Sequence, residues 1–133
     1  VWRGLFFVPG PYLYERSMDE VWNRGAYLVT GVTHCGECHT PRNMLGAFDK
    51  RAPLAGGQVG KKKAPDITND PAHGIGKWTL KDIVSFLENG VTPEGDVVNE
   101  AMQEVIAETK KLTPADRMAM AIFLKSVQPP VGR

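Results

Sequence analysis

Residues 35–39 read Cys35-Gly36-Glu37-Cys38-His39 and contain both cysteines of the chain. Cys-x-x-Cys followed at once by His is the spacing at which a haem is attached covalently to a polypeptide. Two thiols three positions apart can each close a thioether to a vinyl group on the same porphyrin edge. The next residue then lies under the iron, so the imidazole of His39 becomes the proximal ligand.

Other uses of the same residues account for less. A thioredoxin-type Cys-x-x-Cys needs a βαβ setting, and no strand-like alternation surrounds this one. A structural zinc ion wants four ligands in a tetrahedron. His34, Cys35, Cys38 and His39 supply four, but crowded into a single turn of chain. A disulfide would strain so short a loop and leaves His39 without a role. Covalent haem uses all three residues.

The chain has 133 residues, enough for one domain around one core. A formal net charge of +1 gives no reason to expect nucleic acid as a partner. No apolar run approaches the roughly 18 residues of a membrane-spanning helix. The sequence opens on Val1 with no secretory leader, as expected of a mature protein or a piece of a larger one.

Residues 1–16 carry Pro9, Gly10 and Pro11 among Trp2, Phe6, Phe7, Tyr12 and Tyr14. Proline and glycine there predict an extended arm without regular helix. The arm reads equally as a strap packed on the domain or as a linker to another one. The domain itself is expected over residues 17–133.

Ser17, three residues before Glu20, predicts a capping box and a helix from Met18 to Val32. Val21, Trp22, Gly25, Leu28, Val29 and Val32 would form its apolar face. From Thr40 to Trp78 the chain is rich in glycine and proline and is expected to hold little regular structure. A connection of that length implies that it wraps something, and a haem supplies the missing core.

Thr79 with Asp82 predicts a further helix start, and Gly90 its stop. A shorter helix is expected over Met102–Lys110. The last begins at Thr113-Pro114, with Asp116 in its first turn and Pro129-Pro130 beyond its end. Met118, Ala119, Ile122, Phe123 and Val127 would form its stripe. The fold class is therefore all-α, with three to five helices wrapped around one haem.

Arg24-Gly25-Ala26-Tyr27-Leu28-Val29, the run His34 to Asn43, Leu54-Ala55-Gly56-Gly57, Ala64-Pro65-Asp66-Ile67-Thr68, Gly74-Ile75-Gly76-Lys77-Trp78 and Phe123-Leu124-Lys125-Ser126 carry a resemblance. From about Asn23 to Pro129 the chain resembles a class I cytochrome c domain. It is most similar to the cytochrome subunits of periplasmic dehydrogenases for alcohols, aldehydes and sugar acids. Those subunits carry two or three haem domains in tandem, whereas this chain has one motif. The arm ending near Arg16 resembles the link between two such domains. The family often has Asn where Asp66 stands, which leaves that residue's hydrogen bond open.

The resemblance implies one haem c, held through Cys35 and Cys38, in an exported, periplasmic protein. It also implies a sixth iron ligand, a methionine in the loop before the last helix. Of five methionines, Met18 precedes the motif, Met44 follows it too closely to cross the porphyrin plane, and Met118 and Met120 lie within the last helix, where core packing is the ordinary role. Met102 matches the family position, against a plain core role. Trp78 resembles the tryptophan whose indole N–H bonds a haem propionate, though such an indole can equally serve the core. Arg42 would pair with a propionate or remain solvated. Gly25 would allow a close crossing near Phe123. His34 and His73 are not expected to bind the iron.

Filled axial positions leave electron transfer as the expected function. Redox proteins are the expected partners: a dehydrogenase subunit, other cytochrome domains or an oxidase. Lys61-Lys62-Lys63 would steer an acidic partner or simply be solvated. The alternative is a haem enzyme or gas sensor with an open or labile distal site.

Overall fold

The structure is a computed structural model describing residues 1–132; Arg133, the last residue of the expected domain, lies outside the described residues. Six α-helices and one two-stranded sheet follow in the order α1 (Trp2–Phe6), α2 (Glu20–Tyr27), α3 (Cys35–His39), β1 (Ala55–Val59), β2 (Lys62–Asp66), α4 (Leu80–Asn89), α5 (Glu100–Thr109) and α6 (Pro114–Ser126). The helix count exceeds the expected three to five because α1 and α3 are single short turns.

The core forms where α2 and α4 pack on α6. Gly25 sets how closely α2 approaches: a Cβ there would run into the backbone of Ala119 and stand 2.9 Å from Cβ of Phe123. Trp22 packs edge-on against Phe123, with ring centres 5.1 Å apart, and gives its indole N–H to the Ser126 hydroxyl at 2.7 Å. At the other end of the crossing the Arg24 fork meets both oxygens of Asp116 at 2.9 Å. Leu28, Val29, Ile83 and Met120 are buried between these helices.

The first domain helix starts two residues later than expected. Asp19, not Ser17, accepts the Trp22 N–H as N-cap, while the Ser17 hydroxyl donates to the Glu15 carboxylate. Beyond Tyr27 the helix widens into a π-helical turn, Leu28–Val32, closed by Thr33, which donates both its N–H and its hydroxyl to the Leu28 carbonyl. Val21 and Val32 are exposed, so the buried face is narrower than its spacing suggested.

The stretch between Thr40 and Trp78 is more regular than predicted. Strands β1 and β2 pair antiparallel, with Gly57 opposite Ala64 and Val59 opposite Lys62, around a turn at Gly60 with φ +59. The architecture is thus mainly helical, with a hairpin inserted, rather than purely α.

Helices α4 and α6 begin as expected. Thr79 and Asp82 exchange both hydrogen bonds of a capping box, Gly90 ends α4 with φ +70, and Thr113 caps α6 ahead of Pro114. The buried face of α6 is shifted from the expected stripe. It takes in Met120, Ala121 and Leu124, leaves Met118 exposed, and includes Arg117.

The arm differs too. Its first residues precede Pro9, so nothing prevents the helical turn Trp2–Phe6. Beyond it the arm is extended and touches the domain at few points. The Trp2 indole donates to Leu45 O at 2.9 Å, and the Tyr12 hydroxyl reaches Oδ1 of Asn23 at 2.8 Å. Asn23 is buried and also bonds Glu15, Met18 and Asp19, which ties the arm's end to α2.

Candidate functional site

The five motif residues form α3 itself. Cys35 and Cys38 are one helical turn apart and therefore on one side of it; both are half-buried and neither is in a disulfide. Cys35 packs against the same apolar cluster as Ile67, Trp78 and Val84. Burial pushes its thiol up, partly offset by the Thr33 hydroxyl 3.2 Å from its sulfur. Among the described residues no three His, Cys, Asp or Glu side chains converge as a metal-binding group.

His39 ends α3 with only 8% of its surface exposed. Its Nδ1 is 2.7 Å from the carbonyl oxygen of Pro65. A carbonyl only accepts, so Nδ1 carries the proton and Nε2 keeps its lone pair. Burial lowers the imidazole's pKa, against the opposing pull of Pro65 and Asp66. The neutral ring with a free Nε2 is the form a metal requires.

The hairpin holds this geometry. Pro65 belongs to β2, and β1 lies against the back of α3 at Gly57. A Cβ on Gly57 would strike the Cys38 carbonyl and come within 2.9 Å of Thr40 O. The buried Thr40 hydroxyl accepts the N–H of Leu54 at 3.0 Å, and Leu54 holds a left-handed φ of +60. His34, just before α3, has a φ of +51. Two non-glycine residues in this region flank the motif, the kind of local strain that surrounding structure must hold in place.

The other expected site residues are distributed as follows. Trp78 is half-buried, edge-on to Phe86 at 5.2 Å. The indoles of Trp2 and Trp22 have protein acceptors, whereas among the described residues no protein acceptor meets that of Trp78. Arg42 is exposed and its guanidinium is already engaged, by Glu37 at 3.0 Å, by Gly46 O at 2.9 Å and by the Phe48 ring at 4.1 Å. Met102 is half-buried in the first turn of α5, its N–H bonded to the Asn99 side chain, so it stands on a helix rather than in a loop.

Met18 and Met44 are exposed and Met120 is fully buried. His34 is exposed. His73 is exposed as well, and bonded to Asp70 at 3.0 Å. Lys61, Lys62 and Lys63 form the exposed tip of the hairpin. A cleft of about 440 Å³ lies beside Gly36, Glu37 and Thr40, and another of about 720 Å³ around Gly90, Val98 and Ile106; neither is lined by Cys35, Cys38 or His39. Sequence reasoning missed Pro65, Gly57 and Thr40 as supports of the motif. Two of them act through backbone atoms, which leave no side-chain signature.

No protein-family model matches the chain. It is 43% identical over 128 residues to a diheme cytochrome c-type protein of Cereibacter sphaeroides, covering 95% of this chain and 42% of that one. It is 38% identical over 128 residues to the fructose dehydrogenase cytochrome subunit of Gluconobacter japonicus, covering 96% of this chain and 26% of the relative. Several of its homologues are named as cytochrome subunits of dehydrogenases. A further one, the gluconate 2-dehydrogenase cytochrome c subunit of Pantoea cypripedii, is 31% identical over 142 residues. The chain spans 26% and 42% of the length of the first two relatives, well under half of either. Among the described residues no helix is long and apolar enough to cross a membrane.

Proposed function

We propose that the chain is a class I cytochrome c domain that carries one haem and transfers electrons. Cys35 and Cys38 would hold the group by thioethers, and His39 and Met102 would ligate its iron. The observation that carries this reading is the bond from His39 Nδ1 to Pro65 O at 2.7 Å. It fixes the tautomer and the ring plane and leaves Nε2 as the ligating atom, which is how a second-shell acceptor orients a metal-bound histidine.

When bound, the group supplies a one-electron iron couple whose potential is raised by a methionine ligand. The protein's part is to hold that couple still. His39 is fixed by β2, and the thiols by a helix whose back lies against β1. Ligation of the iron by both side chains would leave small molecules such as oxygen or peroxide no open site.

The indole N–H of Trp78 has no protein acceptor among the described residues, and Trp78 packs against the same apolar cluster as Cys35, which supports its role as a propionate donor. Arg42 is the weaker candidate for a propionate, since a propionate would join a guanidinium that Glu37, Gly46 and Phe48 already hold. The names of several homologues support a dehydrogenase subunit as electron donor; in this reading the acceptor is another cytochrome domain or an oxidase, and the domain works in the periplasm. The domain occupies residues 17–133, with residues 1–16 as its arm.

The test is production of the chain in cells that attach haem to exported proteins, followed by the mass of the intact polypeptide. One covalently bound haem per chain is expected, absent when Cys35 and Cys38 are both replaced by Ala. A chain that leaves the cell machinery without haem, or with haem that acid–acetone extracts, contradicts the reading.

A further inference from the structure

Helix α5 carries Met102, and it is held from one end. Met102, Ile106 and Thr109 recur at spacings of four and three and so share one face. Ile106 is buried, with its side chain 3.3 Å from where a Cβ on Gly90 would stand. Thr109 is buried and donates its hydroxyl to Leu87 O at 2.6 Å. The face turned towards α4 is therefore the face that bears Met102. Around Met102 itself the helix is open: Glu100, Ala101, Gln103 and Glu104 are exposed.

The same end is clamped from α6. Arg117 is only 5% exposed. Its Nη1 donates to the carbonyls of Leu112 at 2.6 Å, Lys110 at 3.0 Å and Thr109 at 3.4 Å. Thr109 is the last residue of α5 and Lys110 its C-cap, so the guanidinium sits at the carbonyl end of the helix, where a cation is favoured. Nη2 lies 3.8 Å from Glu88 of α4, so one side chain links three helices. Among the described residues its Nε is buried without a hydrogen-bond partner. An apolar side chain of similar length would fill the same space without desolvating a charge. What it could not do is fix carbonyl positions.

We propose that Arg117 is a positioning residue for Met102: by fixing the axial position and rotation of α5 through its terminal carbonyls, it keeps the thioether on the iron. Thr109 assists from the α4 side. This rests on Met102 being the sixth ligand.

The test uses the haem-loaded protein and imidazole, which competes with a methionine ligand for ferric iron. Arg117→Leu is expected to tighten imidazole binding roughly tenfold, the scale of losing a charge-assisted hydrogen bond, and to weaken the red-edge methionine-to-iron band. Arg117→Lys, which keeps a cation able to reach the same carbonyls, should restore most of the wild-type behaviour. Should Arg117→Leu fail to fold, Thr109→Val is expected to move imidazole affinity in the same direction by less. Arg24→Ala, which breaks the α2–α6 ion pair away from α5, controls for loss of stability alone. Imidazole affinities in Arg117→Leu and Thr109→Val no tighter than in Arg24→Ala would overturn the inference. Met102→Ala separates the two claims. If it binds imidazole tightly while the Arg117 and Thr109 variants do not, positioning fails and ligation stands. If it binds no tighter than wild type, the ligation reading falls and takes this inference with it.

Discussion

The ring of His39 and the carbonyl of Pro65 stand 2.7 Å apart where the motif helix α3 meets strand β2. That contact links a covalent attachment motif to a hairpin with no obvious signature. The hairpin can sit there only because Gly57 allows its other strand to touch the Cys38 carbonyl. Gly57→Ala should therefore lower stability by about 1–3 kcal/mol through overpacking against backbone. Thermal unfolding of the haem-loaded variant checks this, with Gly4→Ala, where a Cβ meets nothing within 4 Å, as the control. Equal midpoints for the two variants would remove Gly57 from the account.

A second glycine answers to the helix packing. Gly25→Ala forces α2 away from the Ala119 carbonyl and Phe123. A loss of at least about 1–3 kcal/mol is expected, since backbone cannot move aside as a side chain can. Denaturant unfolding should show a lower midpoint with an unchanged slope.

Acid should weaken the same crossing. The Arg24 guanidinium beside Asp116 holds its carboxyl below the usual carboxylate range. A depressed native pKa contributes stability that is present above the unfolded value, near 4, and is lost as pH falls through the native one. Because half of the Arg24 side chain is exposed, the pair is worth no more than about 1 kcal/mol. Asp116→Asn should unfold at lower temperature than wild type at pH 7, and the gap should close as pH falls through the lowered native pKa. A gap that persists in acid would show that the carboxylate charge is not what matters.

Trp78 gives a test of the site's polar edge. Trp78→Phe keeps an aromatic ring against Phe86 but removes the one indole N–H without a protein acceptor among the described residues. A propionate that loses a donor holds its proton more tightly, so the pH-dependent part of the midpoint potential should move to higher pH. A potential–pH curve superimposable on wild type would leave Trp78 as a core residue.

How far the fold was legible follows from where its instructions lie. The starts of α4 and α6 were readable because capping is local chemistry: Thr79 with Asp82, and Thr113 with Pro114 and Asp116, act within one turn. The start of α2 was misjudged because Ser17 and Asp19 are both able caps, and Glu15 draws the Ser17 hydroxyl away. The hairpin was invisible because Gly56-Gly57 and Lys62-Lys63 show no alternation; its position depends on backbone contact with α3. Cys35, Cys38 and His39 announce themselves by spacing, whereas Pro65 contributes only a carbonyl. Arg117 fell outside the expected stripe of α6 because an arginine is ordinarily solvated, and here its burial follows from carbonyls on another helix.

The most direct measurement is the visible spectrum of the haem-loaded chain, ferric and ferrous, the latter with and without carbon monoxide, beside Met102→Ala. Low-spin spectra are predicted, with a red-edge methionine-to-iron band that Met102→Ala abolishes and a ferrous form indifferent to carbon monoxide until Met102 is removed. High-spin iron, or ready carbon monoxide binding by the unaltered chain, would contradict a closed electron carrier and point to a haem that binds small ligands.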